Sequence, residues 1–325
     1  MTTARPERAG QTPAGPLELG KQGWWAVIRR TVAEFRADNI SDWAAALTYY
    51  AVLSIFPAIL ALVSVVGLMG TSATQTLIQN LNSFAPGPAK SVLSQWLHNL
   101  SHSQGSAGIV FVLGLAGSIW AASGYVGAFM RAANAIWDAP EGRPFWKTIP
   151  LRVAVTVFAM IVLALGSIAV VVTGPVAQRV GDLLGLGNVA VTVWEIAKWP
   201  ALMLLLAGLL AVLFYAAPNV RQPGARWVTP GGVFAVVLWL AASGVFAIYV
   251  ATFGSYNKTY GAVAGMIVFL VWLWISNIAV LLGAELNAEL ERGRRIEEGM
   301  PEDQVPFVEP RDTSKLSPKE KEALS

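Results

Sequence analysis

The sequence predicts an all-α, polytopic integral membrane protein with six transmembrane helices and further amphipathic helices at the membrane surface. Hydrophobic residues make up 55% of its 325 residues and charged residues only 13%, whereas soluble domains carry roughly 25% charged residues. The apolar residues form separate blocks of roughly 20 residues or more, each long enough to cross a hydrocarbon core of about 30 Å. Lys and Arg are concentrated in alternate connections between these blocks. Together these features exclude an ordinary water-soluble fold.

The apolar blocks define six predicted spans. The first contains Pro57 near its middle. Because a proline inside a helix removes one backbone hydrogen bond, we expect a kink at that point. The predicted spans are residues 43–69, 107–130, 149–173, 194–216, 231–253 and 261–285.

The distribution of Lys and Arg predicts the orientation of the spans. One side, which includes both terminal segments, carries nineteen of these residues and the other side carries four. Without the C-terminal segment and the first two arginines the ratio is still ten to four. Because positively charged connections stay in the cytoplasm, both termini are predicted to be cytoplasmic.

The segments outside the spans are predicted to differ in order. Residues 1–21 and 296–325 have too little apolar content to pack, so they are expected to be a disordered leader and a disordered cytoplasmic tail. Residues 22–40 carry apolar side chains at helical spacing, which fits either a helix on the membrane surface or a helix packed on the rest of the protein. Residues 70–106 contain two amphipathic stretches, expected on the extracytoplasmic surface. The membrane domain therefore comprises residues 22–295.

Polar side chains on the first span are candidates for function. Such side chains are costly inside a membrane, and they either line functional cavities or join helices. Paired tyrosines here follow a run of alanines that permits close helix approach. Cavity lining and simple packing both remain open for this face. The candidates are Asp42, Tyr49, Tyr50, Ser54 and Pro57.

A charged cluster stands at the cytoplasmic end of the second span. Arg131, Asn134 and Asp138 are spaced i, i+3 and i+7, so they share a helix face. This arrangement fits a charged gate or a lipid-headgroup site at the inner mouth of the bundle. The alternative, which we favour, is an arginine that extends to the interface beside a helix-terminal partner.

The last span adds an amide and a carboxylate. Asn277 lies near its middle and needs a hydrogen-bond partner at that depth. Glu285 follows a long apolar run, so it could lie deep enough for proton coupling. The simpler expectation is an interfacial carboxylate paired with a nearby arginine.

Neither a metal nor a cofactor is predicted. The chain has no cysteine, which excludes thiolate ligands and disulfides. His98 and His102 have the spacing of two ligands on one Zn²⁺, but no third ligand stands near them in the sequence. The sequence has no Gly-rich phosphate loop, no nucleophile elbow and no clustered metal-binding carboxylates. We therefore expect neither an enzyme nor a nucleic-acid partner.

Two stretches resemble the YihY/BrkB family of bacterial inner-membrane proteins. The first is DNISDWAAALTYYAVLSIFPAILALVSVVGL and the second is FGSYNKTYGAVAGMIVFLVWLWISNIAVLLGAELNAELER. The likeness covers roughly residues 22–295. It implies a multi-pass protein of the bacterial inner membrane, suspected of moving lipid-like or other envelope components. Such proteins have also been labelled ribonuclease BN and virulence factor, and the residues here do not support the nuclease label.

The second stretch contains an aromatic and amide cluster between spans five and six. Its lysine could attract an anionic headgroup while its tyrosines anchor at the interface. A rigid turn that only sets helix depth explains the same residues equally well. The cluster consists of Tyr256, Asn257, Lys258 and Tyr260.

Two functions from different classes are consistent with these features. The leading hypothesis is a transporter or flippase-like protein for a lipid or other envelope amphiphile, with membrane lipids as its partners. The second is a scaffold that organises envelope assembly without transport. An intramembrane enzyme is less favoured because no nucleophile and base stand together in the sequence.

Overall fold

The computed structural model describes residues 21–68, 107–171, 178, 188–222, 225–252, 257–322 and 324. Within these residues the regular secondary structure is helical, apart from a single antiparallel bridge between Val220 and Pro310. The helices are α1 Lys21–Ala37, α2 Ile40–Leu68, α3 Ala107–Ile136, α4 Phe145–Val171, α5 Asn188–Ala216, α6 Ala225–Thr252, α7 Asn257–Glu297 and α8 Pro318–Glu322.

Five of these helices, α3 to α7, are long and apolar enough to cross a membrane. They correspond to the second to sixth predicted spans. The first predicted span, residues 43–69, falls on α2, which is helical over 29 residues. The side chains of residues 56–68 lie outside the described part, so the predicted kink at Pro57 stays a prediction. The candidate membrane spans of the five helices are residues 112–136, 145–166, 189–216, 230–251 and 263–297, each of which contains a strongly apolar stretch.

Helices α2 to α7 form a closed ring. Each helix contacts the next one along the chain, and α7 returns to contact both α2 and α3. The closest approach joins α6 to α7, where a Cβ at Gly231 would stand 2.1 Å from the carbonyl oxygen of Gly283. No side chain fits there, so these two glycines allow backbone contact between the helices. The last transmembrane helix is thereby fixed against three neighbours.

Helix α7 continues well past the membrane. At about 1.5 Å per residue, its 41 residues extend for about 60 Å, twice the roughly 30 Å of a hydrocarbon core. Its C-terminal part contacts α1, whose Val27 is buried against Leu286 and Leu290. We call the assembly at this end the polar cap: α1, residues 137–144, residues 217–222, α7 from Leu281 onward, and residues 298–317.

Helix α1 has two different faces. Val27 is fully buried, so the packing alternative holds for this face. Trp25, Ile28 and Val32 on the other side are exposed, with 69%, 46% and 68% of their surfaces accessible. Those three side chains are spaced i, i+3 and i+7 and form one stripe. The prediction of a membrane-surface helix concerns this stripe and stays a prediction.

The expectation of a disordered tail from residue 296 was wrong for residues 298–317, which pack on the polar cap. Phe307 and Val308 are each 3% exposed, and the Phe307 ring stacks on Trp137 at 5.7 Å between ring centroids. Asn219 binds the backbone of this segment. Its carbonyl oxygen accepts a hydrogen bond from the Arg311 amide at 2.8 Å, and its Oδ1 accepts one from the Asp312 amide at 3.1 Å. Isolated apolar residues among prolines have no helical or strand period, so the sequence pattern could not indicate this packing.

Two further predictions fall outside the described residues. The first is the disordered leader, since residues 1–20 are not described. The second is the amphipathic segment 70–106 with its two histidines.

Candidate functional site

Asn277 joins α2, α3 and α7 through its side-chain amide. Its Nδ2 donates to Thr48 Oγ1 of α2 at 3.0 Å, and its Oδ1 accepts from the Tyr125 hydroxyl of α3 at 2.8 Å. Asn277 is 5% exposed, so both bonds form away from the surrounding medium. The partner that this residue needed at depth is therefore supplied by two helices. Sequence reasoning did not identify Thr48 or Tyr125, although each carries a hydroxyl group on a predicted span.

The candidate face of α2 points away from the ring. Tyr49 is 61% exposed and Leu53 44% exposed, and Asp42 on the same face is also exposed. Tyr50 turns inward instead, and its ring stands 3.2 Å from the position that a Cβ would take at Gly124. Ser54 donates its hydroxyl to the Ala51 carbonyl at 2.7 Å. The two tyrosines thus have different roles: Tyr50 packs against α3, and Tyr49 faces the surroundings.

The structure directs Arg131, Asn134 and Asp138 to different partners. Arg131 is exposed, and its guanidinium donates to the Gly127 carbonyl at 3.1 Å. Asn134 is buried; its Nδ2 donates to Glu141 at 2.9 Å, and its Oδ1 accepts from the backbone amide of Asn219 at 2.7 Å. Asn134 therefore holds connecting segments together, while Arg131 and Asp138 stay accessible.

A polar cavity of about 630 Å³ lies beside these residues. It occupies the angle between the α1–α2 connection, the start of α2 and the end of α3. Both signs of charge line it, because Arg131 faces three carboxylates. The lining residues are Ala37, Asp38, Asn39, Trp43, Arg131, Asn134, Ala135, Asp138, Ala139, Glu141 and Val305.

Asp38, one of the lining residues, interacts with a second carboxyl group, that of Glu285. Glu285 is 1% exposed. Burial raises the pKa of Asp38 to about 6, and the charges of Asp138 and Glu34 add to this effect, whereas Glu285 and Arg292 oppose it. No Lys or Arg of the described residues lies within ion-pair distance of Glu285, so its expected arginine partner is replaced by a second carboxyl. Burial is the main reason that Asp38 holds a proton more readily than an exposed carboxylate does.

Arg292 organises the remaining acidic groups of the polar cap. Its guanidinium lies 3.2 Å from Glu289 and 3.6 Å from Glu34 through Nη1, and 3.5 Å from Asp138 through Nη2. Arg30 of α1 also donates to Glu289. Burial raises the pKa of Asp138, with Arg292 opposing the shift. Because buried ions are costly unless they are paired, these contacts fix α1 and the end of α3 on α7.

Glu141 belongs to a separate pair on the same side. The Arg143 guanidinium donates to both of its carboxylate oxygens, at 2.8 and 2.7 Å. Burial raises the pKa of Glu141, but the hydrogen bonds and charge of Arg143 outweigh burial and leave it below its usual value. Arg143 also donates to the Ala217 carbonyl at 2.7 Å. This pair therefore stays ionised and ties residues 137–144 to the end of α5.

An apolar groove of about 580 Å³ lies on another side of the ring, between α4, α5 and α6. Trp239 closes its inner side, and its indole donates to Ser276 at 3.0 Å. The sequence did not predict this groove, because its lining residues are ordinary apolar residues of three separate spans. They are Val162, Leu163, Gly166, Trp199, Leu202, Met203, Leu205, Leu206, Val236, Trp239 and Leu240.

The predicted aromatic and amide cluster between spans five and six lies outside the described side chains. Helix α7 begins at Asn257. Tyr256 and the side chains of Asn257, Lys258 and Tyr260 lie outside the described residues.

Comparison with known proteins agrees with the resemblance seen in the two sequence stretches. The sequence model of the family described as "Virulence factor BrkB" matches residues 31–306. A UPF0761 membrane protein of Alkalilimnicola ehrlichii is 31% identical over 80% of this chain and 57% of its own length. A UPF0761 membrane protein of Pseudomonas aeruginosa is 28% identical over 80% of this chain and 61% of its own length. The chain thus spans about three-fifths of these two relatives.

One relative carries a different label. The "Putative ribonuclease-like protein YfkH" of Bacillus subtilis is 27% identical over 79% of this chain and 92% of its own length. No solved structure matches this chain. Since the family match extends over most of the sequence and five helices suit a membrane, the chain belongs to the YihY/BrkB family of membrane proteins.

Proposed function

We propose that this protein is a transporter or flippase-like protein for a lipid or other envelope amphiphile. The observation that carries the proposal is the polar cavity of about 630 Å³, which is lined by the exposed Arg131 next to the outward-facing surface of α2 and α3. Charged groups are costly inside a membrane, so a cavity beside the spans that carries both signs of charge favours a polar or charged ligand over simple anchoring. A headgroup that passes between water and lipid requires such groups.

The apolar groove between α4, α5 and α6 supports an amphiphilic ligand. Its walls are almost entirely aliphatic, with two tryptophans, and its volume of about 580 Å³ is in the range of small-molecule sites. Acyl chains match this chemistry. Anionic or zwitterionic headgroups match the mixed charges of the polar cavity.

The location that fits this function is the bacterial inner membrane, with both termini in the cytoplasm. The charge ratio between the two sides supports this orientation. Helix α1 and residues 298–317 both belong to the polar cap, so the two described terminal segments lie at the same end of the bundle.

A scaffold without transport is the alternative, and the packed tail favours it. Residues 298–317 present a fixed surface on the polar cap, held by Asn219 and Phe307. A scaffold would lose function when this surface changes and would tolerate changes at Arg131. A transporter would show the opposite pattern.

Nuclease activity is not part of the proposal. Several carboxylates of the polar cap are engaged by arginines, as Glu289 is by Arg30 and Arg292, and metal-assisted cleavage needs carboxylates free to hold metal ions. Incubation of the purified protein with labelled RNA and Mg²⁺ is expected to leave the RNA intact.

The proposed function is tested by reconstituting the full chain into liposomes that contain labelled lipids. Protein-dependent movement of at least one phospholipid between the leaflets is expected, measured by the fraction of label that a membrane-impermeant quencher reaches. Arg131→Gln is expected to reduce this movement, while Arg221→Gln serves as the control because Arg221 lies in an exposed ion pair with Glu309. Movement equal to that in protein-free liposomes across native envelope lipids would contradict the proposal.

A further inference from the structure

Two guanidinium groups lie side by side on the outer surface of α3 and α4. The Nη1 atoms of Arg131 and Arg152 stand 4.0 and 3.5 Å from the position that a Cβ would take at Gly127. Because glycine has no side chain, the space between the two cations stays open. A spacing of this kind allows one anion to contact both guanidinium groups.

Neither cation lies within ion-pair distance of a carboxylate in the described part of the chain. Six arginines of the described part form ion pairs with carboxylates, whereas Arg131 and Arg152 form none with any described residue. The Nε of Arg152 is buried and has no hydrogen-bond partner among the described residues. Two adjacent unpaired cations repel each other, and a buried donor without an acceptor is costly. An external anion would relieve both penalties.

Arg131 and Arg152 lie at the depth where the headgroup of a membrane lipid is expected. Arg152 belongs to the apolar segment of α4, and its guanidinium lies 5.0 Å from the ring centroid of Trp120, which is 60% exposed. The Arg131 guanidinium lies 5.9 Å from the Tyr50 ring. An exposed tryptophan beside an arginine, as Trp120 is beside Arg152, is typical of the membrane interface, where phosphates of lipids meet the first acyl carbons.

We propose that Arg131 and Arg152 together bind the phosphate group of an anionic amphiphile, with Gly127 as the floor of the site and Tyr50 and Trp120 as its walls. Arginine presents a planar fork of donors that matches phosphate oxygens, so two arginines satisfy one phosphate from two sides. This inference rests on the proposed function for its role in transport and names the substrate class. Binding itself is measured without transport.

The test uses the full chain in detergent micelles with phosphatidylglycerol or phosphatidylcholine of identical acyl chains, observed by native mass spectrometry. Wild-type protein is expected to retain phosphatidylglycerol in preference to phosphatidylcholine, and Arg131→Gln combined with Arg152→Gln to lower that retention on the order of tenfold. Arg29→Gln is the matched control, because Arg29 is an exposed arginine on α1 outside the site. Equal retention of both lipids by the wild type, or equal losses in the double variant and the control, would overturn the proposal.

A second pair of variants separates binding from folding. Gly127→Ala places a methyl group at ordinary contact distance from the arginines, so folding and lipid retention are expected to persist. Gly127→Leu fills the space between the cations, so retention should fall although both arginines remain. Melting temperatures of all variants identify any that fail to fold. Full retention in a folded Gly127→Leu protein would exclude this site.

Competition distinguishes a lipid from a soluble phosphate compound. If millimolar glycerol phosphate displaces phosphatidylglycerol, the site binds phosphate from either source; if it does not, the site requires the lipid. Displacement supports phosphate binding directly; without displacement, the support comes from the loss of retention in the double arginine variant. Lipid retention that depends on the two arginines, without any lipid movement in liposomes, would uphold this inference and contradict the proposed function.

Discussion

The two halves of α7 differ in almost every physical property. Residues 263–271 are apolar and exposed: Val263 and Met266 have 59% and 65% of their surfaces accessible. Four turns further on, Glu285, Glu289 and Glu291 are each at most 1% exposed. One continuous helix thus places hydrocarbon side chains on its outside in one half and carboxylates on its inside in the other.

The protein is therefore stabilised in two ways, one in the membrane-spanning part, which we call the membrane half, and one in the polar cap. In the membrane half the surrounding lipid is as apolar as the side chains, so burial contributes little, and close backbone contact and hydrogen bonds hold the helices. In the polar cap, water makes burial of Val27 and Phe307 favourable, and ion pairs fix the orientation of the packed pieces. The polar cavity and the arginine pair occur where these two regions meet.

The largest expected effect is at the backbone contact between Gly231 of α6 and Gly283, which lies where α7 enters the polar cap. Gly231→Ala would place a Cβ 2.1 Å from the Gly283 carbonyl oxygen, and backbone cannot move aside as a side chain can. We expect a loss of about 4 kcal/mol or more in the free energy of unfolding, measured by denaturant titration in detergent. Gly244→Ala is the control, because nothing lies within 4 Å of its Cβ position, and a stability equal to that control would refute the backbone contact.

The second largest loss of stability is expected when the buried ion pairs of the polar cap are removed. Glu289→Gln leaves Arg30 and Arg292 without their shared buried carboxylate, so we expect a loss of about 3 kcal/mol in the free energy of unfolding. Hydrogen exchange should also rise in α1, which these ion pairs hold. Glu309→Gln removes the exposed pair with Arg221 and should cost less than about 1 kcal/mol. Similar losses in the two variants would show that the buried network has no special role.

A smaller effect is expected from the hydrogen bonds inside the membrane half. Asn277→Leu removes the acceptor of the Tyr125 hydroxyl and the donor to Thr48. Thr48 keeps its own bond to the Ala44 carbonyl at 2.8 Å, so only Tyr125 is left without a partner, and the cost should be about 1–3 kcal/mol. Combining this change with Tyr125→Phe should recover part of the loss. Additive losses would contradict a direct bond between the two side chains.

The membrane half was more predictable from the sequence than the polar cap. The length of an apolar block indicates the length of a span, so five spans could be placed, although the last continues to Glu297, 12 residues past its predicted end. The need of Asn277 for a partner followed from its depth. The polar cap depends on contacts between residues far apart in sequence, such as Phe307 with Trp137 or Asp38 with Glu285. Arg131 was found because it ends a span, whereas Arg152 resembled an ordinary boundary residue. Only the packing of α3 against α4 placed the two together.

The smallest expected effect is a pH dependence confined to the border of the two regions. Because the pKa of Asp38 is raised to about 6, the folded state binds a proton more tightly than the unfolded chain does. The stabilisation that comes from the protonated Asp38 is therefore fully present below pH 4 and declines as the pH rises towards and past 6. Melting temperatures between pH 4 and 7 should fall less in Asp38→Asn than in the wild type. Parallel curves for the two proteins would show that Asp38 titrates normally and that the carboxyl pair with Glu285 does not form.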